Sequence, residues 1–200
     1  DVEIAAEGIA YGIFSSAGQA CIAGSRLFIH SSIYEQFLKR LVEITEGLRV
    51  GHPETPNVHM GSLINQKHLE SVHRYVELAK SEGGTVVTGG EAITEGEFAK
   101  GSFYKPTIIT GLKNSAQTCQ EEIFGPVLVV MSYDNEQDLI EQANDSCFGL
   151  AAGIWTENYR KAWKIARTLE VGTVWINTYK KFSISAPFGG FKDSGIGREK

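Results

Sequence analysis

The run Pro126-Val127-Leu128-Val129-Val130-Met131 carries no polar side chain. A strand that alternates apolar and polar residues buries one face, whereas one that is apolar throughout must be covered on both. Such a strand belongs inside a sheet flanked by helices, and the rest of the chain supplies those pieces. Strand-like stretches at 26–29, 85–87, 103–109, 151–155 and 173–177 alternate with helical patterns. The helices fall at 2–16, after the capping box Ser32-Ile33-Tyr34-Glu35, after Asn65, after Asp134 or Asn135, and at 159–169. Leu69, Val72, Val76 and Ala79 mark the inner face of the helix that Asn65 opens and Gly83-Gly84 ends. Ala162, Trp163, Ala166 and Leu169 mark that of the last helix. The fold expected is α/β: an open, mostly parallel twisted sheet with helices on both faces. Pro106 marks an edge or an irregularity. No repeat, low-complexity tract or domain boundary interrupts the pattern, so residues 1–200 read as one domain.

Composition narrows the function. A net charge of -5 leaves no basic footprint for nucleic acid and no polybasic face for a membrane surface. No apolar run approaches the length needed to span a bilayer. The three cysteines, Cys21, Cys119 and Cys147, form no CxxC pair, which argues against a metal site and a disulfide framework. A reducing compartment, the cytoplasm, fits this usage. Asp1 enters directly into a helical pattern with no initiator methionine, so the chain reads as a fragment of a longer protein.

Chemistry concentrates at Phe14-Ser15-Ser16-Ala17-Gly18-Gln19-Ala20-Cys21-Ile22-Ala23-Gly24-Ser25-Arg26. Small residues surround Cys21, where a helical pattern gives way to a strand. A carbonyl compound can come close to such a sulfur, and a thiolate there can attack it. The plain alternative is that Cys21 is a buried small hydrophobe, the usual fate of a free cysteine.

The wording F-x-x-x-G-Q-x-C-x-A-x-S-R resembles the active-site cysteine signature of the aldehyde dehydrogenase superfamily. Two further motifs agree. Glu121-Glu122-Ile123-Phe124-Gly125-Pro126-Val127 is similar to the family's cofactor-contact motif. The resemblance implies that Glu122 hydrogen-bonds the nicotinamide ribose hydroxyls and that Phe124 packs against the nicotinamide ring. A carboxylate can accept from both hydroxyls and an aromatic face can hold a flat ring. Glu121 reads as a solvated helix end. Pro187-Phe188-Gly189-Gly190-Phe191-Lys192-Asp193-Ser194-Gly195-Ile196-Gly197-Arg198-Glu199 is similar to a segment near the family's carboxyl end. It lacks the setting of a dinucleotide fingerprint. By resemblance, Phe182 and Phe188 wall a substrate tunnel, with core packing as the alternative. The pair Lys180-Lys181 reads as a solvated turn, or as an attraction for a carboxylate-bearing aldehyde. The five histidines show no metal-ligand spacing and read as structural or exposed. Cys119 and Cys147 match no motif and read as inert.

The resemblance spans residues 14 to 199 and implies a catalytic domain that oxidises an aldehyde or semialdehyde to the acid with NAD or NADP. The implied route runs through a thiohemiacetal and a thioester on Cys21. The family's general-base glutamate motif, its oxyanion asparagine and its cofactor-binding domain are expected upstream, and its oligomerisation strand downstream. The full-length protein is expected to be a homodimer or homotetramer and the isolated fragment nearly inactive. Three alternatives stay open on the residues alone: a CoA-acylating semialdehyde dehydrogenase, a cysteine acyl-transferase or esterase, and a non-catalytic domain retaining the fold.

Overall fold

The structure, a computed structural model, describes residues 1–199. In chain order the elements are α1 (Val2–Phe14), β1 (Arg26–His30), α2 (Tyr34–Glu46), α3 (Gln66–Ser81), β2 (Thr85–Thr88), β3 (Ala92–Ile93), β4 (Phe103–Tyr104), β5 (Thr107–Thr110) and α4 (Gln117–Gln120). There follow β6 (Val127–Tyr133), α5 (Glu136–Asn144), β7 (Phe148–Gly149), β8 (Ala151–Ile154), α6 (Tyr159–Thr168), β9 (Thr173–Ile176) and β10 (Phe191–Lys192).

The apolar run forms β6, and no residue from Val127 to Met131 is more than 5% exposed. Consecutive side chains on a strand point to opposite faces, so both faces of β6 are covered. The main sheet has the order β1-β6-β5-β2. β1 and β5 flank β6 in parallel, while β2 pairs antiparallel with β5. A parallel neighbour needs a crossover connection, and the chain between β2 and β5 carries only the small β3–β4 ribbon and a 3-10 turn at Gly96–Phe98 in place of an α-helix. The sheet is therefore mixed at one edge. β8 and β9 form a separate parallel pair, and β7 pairs with β10. The Pro106 irregularity splits the expected 103–109 strand into β4 and β5.

Local signals act where they concern backbone alone. Asn65 Oδ1 accepts from the His68 N–H at 2.9 Å and opens α3, whose Leu69, Val72, Val76 and Ala79 are buried. Asn135 Oδ1 opens α5 in the same way. The capping box at Ser32 does not form. Residues Ser31–Ile33 make a single 3-10 turn in which His30 Nδ1 accepts from the Ser32 N–H at 3.2 Å, and α2 starts at Tyr34 without a side-chain cap. The first helix also stops short of residue 16, because Ser16 and Ala17 turn left-handed at φ 57° and 54°. On α6 the buried side chains are Ala162 and Ile165, and Trp163 is 62% exposed. Among the described residues no helix is long and apolar enough to cross a membrane.

Candidate active site

Cys21 sits, exposed, on the loop between α1 and β1. Three successive residues before it, Ser16, Ala17 and Gly18, have positive φ. Left-handed backbone is uncommon for residues other than glycine and costs roughly 1–2 kcal/mol each, so the surroundings must hold this turn. Several contacts do so. The Ala23 N–H donates to the Ala20 carbonyl at 2.8 Å, and the Gln19 N–H to that of Ser16 at 3.0 Å. Gln19 Oε1 accepts from the Ile64 N–H at 3.0 Å. The Cys21 N–H itself has no acceptor among the described residues. Arg26, at the end of the motif, is structural: its guanidinium donates to Asn114 Oδ1 at 2.6 Å and to the Gln142 and Ala143 carbonyls at 3.1 Å. It pins β1 to α5 and to the loop before α4.

A second segment, residues 177–180 after β9, closes on the same loop. The Tyr179 hydroxyl donates to the Ile22 carbonyl at 2.9 Å. Its ring fits because two neighbours lack side chains: a Cβ on Gly153 would stand 2.6 Å from it and one on Gly12 3.1 Å, whereas one on Gly24 would make only ordinary contact with the hydroxyl oxygen at 3.4 Å. Burial pushes the Tyr179 hydroxyl up to about 12, so it stays a donor at neutral pH. Sequence reading passed over Tyr179. Its signal is two glycines far apart in the chain, Gly12 and Gly153, and only the folded arrangement connects them.

The cofactor-like motif forms the turn between α4 and β6. The two glutamates differ in their surroundings. Glu121 accepts from the Tyr75 hydroxyl at 2.7 Å and from Gln117 Nε2 at 2.8 Å. Glu122 is exposed and has no hydrogen-bond or ion-pair partner among the described residues. Phe124 has φ 55° and stands 39% exposed, its carbonyl accepting from His68 Nε2 at 2.7 Å. His68, read from the sequence as structural or exposed, thus braces this turn. Gly18 joins the turn to the cysteine loop: a Cβ there would overlap the Gly125 carbonyl, so the two backbones touch directly.

Cys21, Glu122 and Phe124 line one cleft of about 850 Å³, bounded by β1 on one side and β8 on the other. Phe182 and Phe188 lie outside its lining and meet each other edge to face at 5.3 Å. Phe182 also meets Trp175 at 5.3 Å, and Trp175 meets Tyr179 at 4.8 Å. A row of rings therefore leads from the cysteine loop outward through Tyr179, Trp175, Phe182 and Phe188. Lys180 is half-buried and Lys181 exposed. Cys119 is buried, which raises its thiol to about 11, against the lowering charge of Arg26. Cys147 is exposed. No group of three or more His, Cys, Asp or Glu among the described residues could hold a metal ion.

Among the described residues, five of the seven other than glycine with positive φ (Ser16, Ala17, Phe124, Asn177, Lys180) lie on these three converging segments. Strain of this kind gathers where geometry serves a site. The cleft thus brings together an exposed cysteine, an exposed carboxylate and an exposed aromatic ring, and comparison with known proteins gives the chain a class. The model of the aldehyde dehydrogenase family matches residues 1–200, and the chain belongs to that family. It is similar to an aldehyde dehydrogenase from Bacillus cereus solved as an NAD+ complex, with 44% identity and a TM-score of 0.94 over 99% of this chain. A betaine aldehyde dehydrogenase from Staphylococcus aureus gives 37%, 0.97 and 99%, and HpcC from Thermus thermophilus gives 38%, 0.96 and 100%. The chain spans 40%, 40% and 39% of the lengths of these three proteins.

Proposed function

We propose that the full-length protein carrying this chain oxidises aldehydes to carboxylic acids with NAD or NADP, and that residues 1–200 are its catalytic domain. The observation that carries the reading is the shared cleft of Cys21, unpartnered Glu122 and exposed Phe124. These residues fit a nicotinamide dinucleotide. The Glu122 carboxylate has its full accepting capacity free for two ribose hydroxyls, and the Phe124 ring offers a face for the nicotinamide. When bound, the nicotinamide accepts the aldehyde hydrogen as hydride. The other parts belong to the chain. Cys21 Sγ, as thiolate, bonds to the aldehyde carbon, and the carbonyl oxygen takes the negative charge. The free Cys21 N–H is a donor for that oxyanion, a contact typically worth about 3 kcal/mol in barrier height. Loss of the hydrogen with its electron pair re-forms the C=O bond and leaves a thioester on Cys21. Water then attacks, the C–S bond breaks, and the acid departs with the thiol restored.

The aromatic row ending in Phe182 and Phe188 supports an apolar stem on the substrate. A non-redox acyl-transfer reading leaves Glu122 and Phe124 without a task. The free cysteines accord with a reducing compartment such as the cytoplasm, and the family resemblance with a homodimer or homotetramer. The test uses the full-length protein. Cys21→Ser abolishes aldehyde-dependent reduction of NAD(P). Glu122→Gln slows turnover and weakens cofactor binding while Cys21 still reacts with iodoacetamide. Full activity in Cys21→Ser, or unaltered kinetics and cofactor affinity in Glu122→Gln, would refute these assignments.

A further inference from the structure

Helix α3 grips the 121–126 turn at three points. His68, Val72 and Tyr75 are spaced i, i+4 and i+7, which puts them on one face of the helix. Each meets a different residue of the turn. His68 Nε2 donates to the Phe124 carbonyl at 2.7 Å. Val72 lies against Gly125, where an added Cβ would stand 2.5 Å from Val72 Cγ2. The half-buried Tyr75 donates its hydroxyl to Glu121 Oε2 at 2.7 Å. The other oxygen of that carboxylate accepts from Gln117 Nε2 at 2.8 Å. Glu121 is therefore exposed, yet both its oxygens have donors. The hydrogen bond to Glu121, and burial after it, raise the Tyr75 pKa, so the hydroxyl stays a donor. Glu122, the next residue, has no partner among the described residues. Both glutamates line the cleft that holds Cys21. Because Glu121 takes both donors, neither is left to draw Glu122 away from the cleft.

We propose that Tyr75 and Glu121 are positioning residues for the dinucleotide: their hydrogen bond fixes the start of the turn and so holds Glu122, one residue on, ready for the ribose hydroxyls. The proposal rests on the aldehyde-oxidation reading above and adds a pair that acts through Glu122. The physical reason is preorganisation. Phe124 is left-handed, and a turn of that shape persists only where its surroundings hold it. With the anchor at Glu121 cut, ordering the turn falls to the binding step, and affinity drops. The link is one hydrogen bond to an exposed carboxylate. Its loss is expected to weaken dinucleotide binding about threefold to tenfold, tenfold being about 1.4 kcal/mol.

The experiment uses the full-length protein and measures binding of NAD and of NADP by calorimetry, without substrate. Tyr75→Phe keeps the ring and loses the donor. Glu121→Ala loses the acceptor, whereas Glu121→Gln keeps an oxygen that Tyr75 can reach. Tyr75→Phe and Glu121→Ala each raise Kd about threefold to tenfold, and Glu121→Gln stays within about twofold of wild type. The double variant Tyr75→Phe/Glu121→Ala binds no worse than the weaker single variant, because both changes cut the same link. A second measurement needs no cofactor. Hydrogen exchange at the 121–125 amides is faster in Tyr75→Phe while β6 keeps its wild-type rates; a general loss of stability would speed both. Wild-type affinity in Tyr75→Phe, or losses that add in the double variant, would overturn the proposal while the oxidation reading stands. Failure of the wild type to bind either dinucleotide would overturn both.

Discussion

Three thiols of one chemical type divide two to one here. Cys119 is buried and its thiol raised to about 11, whereas Cys21 and Cys147 both meet solvent. Exposure alone therefore separates Cys119 and leaves two cysteines open to alkylation. Peptide mapping after limiting iodoacetamide at neutral pH is expected to find Cys119 labelled last. NAD(P) is expected to shield Cys21 and leave Cys147 as reactive as before; shielding of Cys147 in its place would displace Cys21 as the nucleophile. The cysteine stretch and Glu122 stood out in the sequence, and the structure sets Cys21 and Glu122 on one cleft. Tyr179 did not stand out, because its pocket depends on Gly12 and Gly153, which lie in different elements. Tyr179→Phe removes one neutral hydrogen bond and leaves the Ile22 carbonyl without its donor. A loss of about 1 kcal/mol is expected in denaturant unfolding, with a larger drop in kcat than in cofactor affinity.

At the scale of elements, α4 is only one turn long, and Glu82 holds it in place. Its carboxylate accepts from the Gln117 N–H at 2.7 Å, the Thr118 N–H at 3.2 Å and the Thr118 hydroxyl at 2.6 Å. Burial pushes this carboxyl's pKa up, and the three hydrogen bonds outweigh it, so the folded value lies below the ordinary one. A carboxyl whose pKa is lowered by folding contributes stability above its unfolded pKa and loses it as pH falls through the folded value. Glu82→Gln is thus expected to lower unfolding stability by about 1–2 kcal/mol at pH 7. The gap from wild type should close in acid, below the ordinary carboxylate range. A gap that persists there would assign the effect to packing. Helix starts at Asn65 and at Asp134 or Asn135 were legible because a cap acts within four residues, and the structure uses Asn135. The box at Ser32 misled because His30, just outside it, captures the Ser32 N–H first. The α6 face misled because periodicity marks a stripe without saying which edge of it turns inward, and Trp163 falls on the outer edge.

Across the whole molecule, the α/β order was legible from the apolar run of β6 and the strand–helix alternation. The antiparallel seat of β2 was not, since pairing direction depends on a missing crossover and not on strand composition. Native-state hydrogen exchange is expected to show β6 and β5 as the slowest amides, because their side chains form the buried centre, and the segment at 182–187 among the fastest. Slower exchange in β8 than in β6 would mean that the core lies elsewhere. The contact between Gly18 and the Gly125 carbonyl bears on how such a protein can be redesigned. No side chain cushions the two backbones, so a change at either loop reaches the other undamped. An engineer who recuts the 121–126 turn will, without touching Cys21, also be moving the loop that carries it.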